Sequence, residues 1–196
     1  MLEYVLKKLD LIRNYIKDNP SLSETLFIDI DLVLGNILKK LDAATVDQPV
    51  VDIPDTIIRI WSDGACTGNP GPGGWGTIIE IGDQRFEYSG GSKRTTNNIM
   101  ELTGALEGIK KTPEGSSIIV TSDSQYLIKG MTAWLKSWKA KAWKKADGKS
   151  VLNKDLWMEL DAEAGKRSIE WEWIKGHAGH PENERCDQLA RKAIPR

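Results

Sequence analysis

Cysteine is scarce: the chain has two in 196 residues, Cys66 and Cys186. Two thiols build no disulfide framework, and no CxxC pair marks a thiolate metal site. Long hydrophobic runs are missing too. No apolar stretch approaches the ~18 residues of a membrane span, and the opening MLEYVLKKLD lacks a secretory-signal pattern. These absences exclude a secreted disulfide scaffold and a helical membrane protein, so the cytoplasm is the expected compartment. An excess of charge of either sign is also lacking: 27 Lys+Arg stand against 28 Asp+Glu, with a net charge of −1 and a pI of about 6.2. On such a balance, a protein that binds nucleic acid carries its positive charge in a local patch.

That patch has a place. Residues 1–48 hold Lys7, Lys8, Arg13, Lys17, Lys39 and Lys40 but a larger number of acids, so this stretch is acidic. Farther on, Lys136, Lys139, Lys141, Lys144, Lys145, Lys149 and Lys154 crowd one short segment. The composition, 40% hydrophobic and 28% charged, suits an ordinary globular domain with a small appendage.

Residues 1–43 read as a helical hairpin. Leu2, Val5, Leu6, Leu9, Ile12 and Ile16 recur at spacings of three and four. Asn19-Pro20 breaks that pattern, and Ser21 with Glu24 forms a capping box for a second helix. Residues 44–55 read as a linker with two prolines, and residues 56–196 as the main domain. There the pattern becomes strand-like over Ile57–Ser62, Trp75–Ile81 and Gln84–Gly90, with a tight turn across Gly68–Gly74. A helix is expected over Thr95–Lys111, a strand over Ser117–Thr121, helices near 124–142 and 154–164, a strand over Ser168–Ile174 and a helix from Pro181. The order βββαβααβα predicts an α/β fold: a five-stranded mixed sheet flanked by helices.

Four acids stand out by placement. Asp63 and Asp123 follow apolar strands, where side chains project into the crevice at a sheet's edge. Glu101 lies early in its helix among apolar neighbours, and Asp187 lies on the last helix between Cys186 and Leu189. Carboxylate oxygens hold hard divalent cations, and two such ions can clamp both oxygens of a phosphodiester displacement. Spacing alone does not separate this from acids that cap and favour helix starts; the flanking residues do.

Trp61-Ser62-Asp63-Gly64-Ala65-Cys66-Thr67-Gly68-Asn69-Pro70-Gly71-Pro72-Gly73-Gly74-Trp75-Gly76 resembles the opening signature of bacterial ribonuclease HI. The resemblance continues in Thr95-Thr96-Asn97-Asn98, Met100-Glu101-Leu102 and Ser122-Asp123-Ser124-Gln125-Tyr126. It closes in the long run from Trp171 through His177 to Asp187, and covers about residues 57–194. It implies the ribonuclease H-like fold and a metal-dependent endonuclease that cuts the RNA strand of RNA–DNA hybrids. The reaction it implies is in-line attack of water, activated by two metal ions, leaving a 5′-phosphate and a 3′-hydroxyl. Asp63, Glu101, Asp123 and Asp187 match the metal-binding acids, with Mg²⁺ the expected ion and Mn²⁺ a substitute. His177 matches a loop histidine that moves protons and helps product leave.

The resemblance also assigns contacts to the hybrid. Cys66, Asn69, Asn97, Asn98 and Gln125 match positions along the minor groove, where short polar groups read 2′-hydroxyls without reading sequence. Arg94, Thr96 and Asn153 match a pocket for a phosphate of the DNA strand. Trp134, Trp138, Lys139, Lys141 and Lys144 match a basic protrusion that neutralises phosphates. Trp157, Trp171 and Trp173 read as core residues, His180 as the cap of the last helix, and Cys186 as an inert thiol.

Residues 1–43 depart from the family: they do not resemble its small N-terminal hybrid-binding module. Their apolar stripes predict self-association or a protein partner, since two short helices bury little surface alone. The competing reading of the whole is a catalytically inert hybrid-binding module on the same fold. A cluster of retained carboxylates beside a bound phosphate argues against it.

Overall fold

A computed structural model describes residues 57–145, 147–176 and 178–196. The expected hairpin at 1–43 and linker at 44–55 lie outside the described residues, as does His177.

Strands β1 (Ile58–Cys66), β2 (Gly71–Ile81) and β3 (Gln84–Thr95) form an antiparallel meander. Helix α1 (Asn97–Lys110) leads to β4 (Ser117–Ser122), which pairs parallel with β1. A helical run then passes through α2 (Gln125–Lys129), a π turn (Gly130–Trp134) and α3 (Leu135–Ala140). Helix α4 (Lys154–Ala164), strand β5 (Ser168–Trp173) and helix α5 (Pro181–Lys192) complete the order. The five strands lie as β3-β2-β1-β4-β5, with β4 and β5 parallel. The mixed sheet follows from chain order: short turns permit the meander, whereas each parallel return needs a helical crossover. Among the described residues, no helix is long and apolar enough to cross a membrane.

The core lies between the sheet and α1, α2 and α4. Ile58 and Ile60 from β1, and Ile118 and Val120 from β4, meet Leu102, Leu106 and Ile109 of α1. Trp157 and Leu160 of α4 and Leu127 of α2 close it, all fully buried. Trp157 is a large apolar payload with a polar handle, and its Nε1–H donates to the Tyr126 hydroxyl at 3.0 Å. Its ring lies on Gly130, where no Cβ has room, at the start of the π turn.

Three expectations are corrected. The Gly68–Gly74 stretch is a turn only at its start; the strand resumes at Gly71 and runs through the glycines. Packing overrides their weak strand propensity. A Cβ on Gly74 or Gly76 would collide with the Ala190 or Cys186 carbonyl, so these residues let α5 lie directly on β2. Strand β3 likewise runs past Gly90 to Thr95, paired with β2 across a register shift between Gly71 and Gly73. Trp173 is not core: it is 48% exposed at the end of β5, while Trp171 is half-buried.

Candidate active site

Each of the four acids is delivered by a different element. Asp63 lies in β1 and Asp123 immediately after β4. The parallel register pairs Trp61 with Thr121, so the two aspartates stand two residues farther along, side by side on neighbouring strand paths. Glu101 comes from α1, which sits very close to the sheet: a Cβ on Gly64 would collide with the Glu101 backbone nitrogen. Thr96 caps that helix, its hydroxyl accepting from Ile99 N at 3.3 Å. Asp187 lies on α5, brought to the sheet by the glycines of β2.

Burial and like charge dominate the electrostatics. Burial first, and then the Asp123 carboxylate, push the Asp63 pKa up from 3.8 to about 7. Asp187 and Glu101 push the same way, while the Gly64 N–H, at 2.7 Å from Oδ1, opposes them. Burial likewise raises Glu101 from 4.5 to about 7, with Asp123 adding to it. Hydrogen bonds from Ser124 and Asn97 hold that rise back, the latter donating Nδ2–H to Oε1 at 2.7 Å. The acids therefore feel one another, although among the described residues no three His, Cys, Asp or Glu side chains are drawn up as a ready-made metal cage. Neighbours already engage two of them: Ser124 and Asn97 donate to Glu101, and Arg191 donates Nε–H to both Asp187 carboxylate oxygens at 2.7 and 2.8 Å. Oxygen-only donors suit a hard cation that keeps part of its water shell. Positive charge there would offset the repulsion that adds to burial in raising Asp63 and Glu101.

Around the acids, Asn97 and Asn98 open α1 beside Glu101, and Asn69 accepts from the Asn97 backbone N–H at 3.4 Å. Cys66, half-buried, lies at the end of β1 with Sγ 3.5 Å from the Gly71 carbonyl. Arg94 is exposed at the end of β3, and Gln125 is exposed at the start of α2. Asn153 adopts a left-handed conformation before α4, donates Nδ2–H to the Tyr126 hydroxyl at 3.3 Å, and lines a cavity with Ile99 and Lys154. The asparagine at this bend suits a conformation that β-carbons disfavour.

Farther out, the protrusion follows α3. Trp134 and Trp138, half-buried, stack in a string of rings running from Tyr126 to Trp143. Lys141 and Lys144 are exposed there, but Lys139 is tied to Asp161 at 2.7 Å. Cys186 is buried, its Sγ 3.3 Å from the Trp61 carbonyl, and burial pushes its thiol far above the ordinary range, leaving it inert. His180 occupies the cap position of α5 without a capping bond from its side chain.

Sequence reasoning missed Ser124, Asn183 and Arg191. Ser124 donates to Glu101 and also caps α2, accepting from Leu127 N at 3.2 Å. Asn183 is 3% exposed and donates Nδ2–H to Asp123 Oδ2 at 3.2 Å. A signal existed: Asn183, Cys186 and Ala190 share the buried face of α5 by helical spacing, and a polar residue on such a face is informative.

The family model described as RNase H matches residues 55–195. A ribonuclease H from Escherichia coli O9:H4 (strain HS) is 52% identical over 136 residues, covering 69% of this chain and 88% of that protein. Among solved structures, LC9-RNase H1, a type 1 RNase H with the type 2 active-site motif, superposes with a TM-score of 0.65 at 32% identity, covering 73% of this chain and 74% of that one. LC11-RNase H1, solved in complex with an RNA/DNA hybrid, has a TM-score of 0.53 at 22% identity, covers 70% and 96%, and shows the fold alone. The strand order, the clustered acids and a match that spans nearly all of the described residues together place this chain in the type 1 ribonuclease H family.

Proposed function

We propose that the chain hydrolyses the RNA strand of RNA–DNA hybrids at the centre formed by Asp63, Glu101, Asp123 and Asp187, leaving 5′-phosphate and 3′-hydroxyl ends. The observation that carries this reading is the convergence of four carboxylates from β1, α1, the end of β4 and α5, with Asp63 and Glu101 raised to about 7 by burial and mutual repulsion. Raised acids grouped in this way are the mark of a site rather than of a solvated surface. Ribonucleases H are metal-dependent as a family. Asp63, Glu101, Asp123 and Asp187 are the residues that would hold Mg²⁺ here, with Mn²⁺ as a substitute. Bound there, such ions supply activation of the attacking water and stabilisation of charge on the phosphodiester.

The remaining roles belong to the protein. Ser124 and Asn97 hold the Glu101 carboxylate from two sides, so both oxygens have fixed directions. Asn97, which touches Glu101, together with Asn98, Asn69, Cys66 and Gln125 binds the hybrid's minor groove through 2′-hydroxyls, a contact that distinguishes RNA from DNA. Arg94, Thr96 and Asn153 hold a phosphate of the DNA strand, which positions the duplex without reading its bases. Lys141, Lys144, Trp134 and Trp138 extend the contact along the backbone, and Lys139 contributes once it leaves Asp161. His177 moves a proton as product departs.

The test is a substrate panel: labelled RNA–DNA hybrid, duplex DNA and duplex RNA, each with Mg²⁺. The reading requires cutting of RNA in the hybrid alone. Cutting of duplex DNA would point to a different nuclease on the same fold, and tight hybrid binding without cutting to an inert module.

A further inference from the structure

Asp123 is gripped from three sides by residues of the C-terminal stretch. Trp173, the last residue of β5, donates its indole Nε1–H to the Asp123 carbonyl at 3.0 Å. Asn183, in the first turn of α5, donates Nδ2–H to Oδ2 at 3.2 Å. Gly176 lies against that same oxygen, and a Cβ there would collide with it. The three contacts fix different things: where the backbone of Asp123 sits, how its carboxylate is turned, and how much room it has.

Neither Trp173 nor Asn183 is explained by packing. Trp173 leaves 48% of its surface exposed, yet its ring nitrogen finds Asp123. Asn183 is almost wholly buried, and its Oδ1 has no hydrogen-bond partner among the described residues. The amide orientation is nevertheless set, because the reverse would turn an oxygen lone pair onto the carboxylate. The carboxylate thus dictates the asparagine, and the asparagine in turn fixes the carboxylate. With Oδ2 occupied and hemmed in, Oδ1 is the oxygen left with a defined direction.

We propose that Trp173, Gly176 and Asn183 form a clamp of positioning residues that sets the rotation of the Asp123 carboxylate and thereby its affinity for the divalent cation. This rests on the reading of Asp123 as a cation ligand. Partners that orient a ligand typically change metal affinity or activity by about 10–100-fold when removed.

The test compares the full chain with Asn183→Ala, Gly176→Ala, Trp173→Phe and Asp123→Asn. Thermal melting in EDTA reports the fold, calorimetric titration with Mg²⁺ reports cation binding, and kcat and KM on a hybrid report turnover. Gly176→Ala presses on the end of a side chain rather than on backbone, so it displaces the carboxylate and keeps the fold. For Asn183→Ala and Gly176→Ala, the clamp requires Mg²⁺ affinity and kcat to fall about 10-fold or more while KM stays within about twofold. Trp173→Phe keeps an aromatic ring, removes the N–H together with the pyrrole half of the indole, and moves the same quantities less. A merely structural role lowers melting and leaves Mg²⁺ affinity alone. Should Asn183→Ala fail to fold, the other two variants decide. Folded variants that bind Mg²⁺ and cut like wild type, beside an inactive Asp123→Asn, overturn the clamp alone. An Asp123→Asn that cuts at the wild-type rate overturns the active-site reading and the clamp with it.

Discussion

Asp63 and Glu101 are carboxylates kept where charge is costly. Their pKa values, raised from 3.8 and 4.5 to about 7, mean that the folded state binds more protons than the unfolded one between those limits. The sign of their contribution is then fixed: what these two carboxyls add to stability is greatest below the ordinary carboxylate range and falls as pH rises toward 7. In EDTA, Asp63→Asn should flatten that fall and raise stability at pH 8 by about 2–4 kcal/mol, read by urea unfolding at several pH values. A wild-type minus Asp63→Asn stability difference that does not fall between pH 4 and 7 would contradict the raised value of Asp63. Arg191 and Asp187 make the opposite kind of pair. The arginine is 64% exposed, so the ion pair adds little to stability, and Arg191→Ala should change it by less than about 1 kcal/mol. The same guanidinium competes for the carboxylate a cation would use. Arg191→Ala should therefore bind Mg²⁺ several-fold more tightly in calorimetry, and weaker binding would show that Arg191 supports the site instead.

At the scale of elements, the turn after α3 carries local strain. Ala142 has φ of 49° and Trp143 of 60°, a region that a β-carbon disfavours. Ala142 is exposed, so nothing packs on its methyl group. Ala142→Gly should stabilise the protein by about 0.5–1 kcal/mol in thermal or denaturant melts, without altering cutting. The strands and helices of this domain were legible because their periods are clean. Ile58 and Ile60 alternate, and Leu102, Leu106 and Ile109 keep helical spacing. The glycines of β2 were not legible as strand, because the reason for them lies on α5: the Cys186 and Ala190 carbonyls need the space. The site shows the same division. Asp63, Glu101, Asp123 and Asp187 stood out by position and flanking residues. Asn183 and Ser124 act through side-chain hydrogen bonds across 60 and 23 residues, which no local pattern encodes. Trp173 read as a core residue with Trp171, and its place at the end of β5 leaves it exposed.

For the whole molecule, the balance of charge matters less than its distribution. A chain of net charge −1 meets a polyanion through a local patch, and exposed Lys141 and Lys144 on the protrusion are candidates for phosphate contacts. Replacing both by Ala should raise KM several-fold, leave kcat near wild type, and reduce the slope of log affinity against log salt by roughly 1–2. Lys139→Ala should do less, because its ammonium already has Asp161. Equal effects from all three would mean that the Lys139 ion pair opens freely on binding.

If Asp63, Glu101, Asp123 and Asp187 perform the cutting as proposed, the negative charge of Asp123 is indispensable to it. Asp123→Asn keeps the shape of the side chain and removes its charge. Cleavage of a labelled RNA–DNA hybrid is followed with Mg²⁺, beside hybrid binding by the same variant in EDTA. Wild type should cut the RNA strand in a metal-dependent way, and the variant should lose more than about 100-fold of that cutting while still binding the hybrid. Undiminished cutting by a folded Asp123→Asn would place the chemistry elsewhere and contradict the proposed role of Asp123.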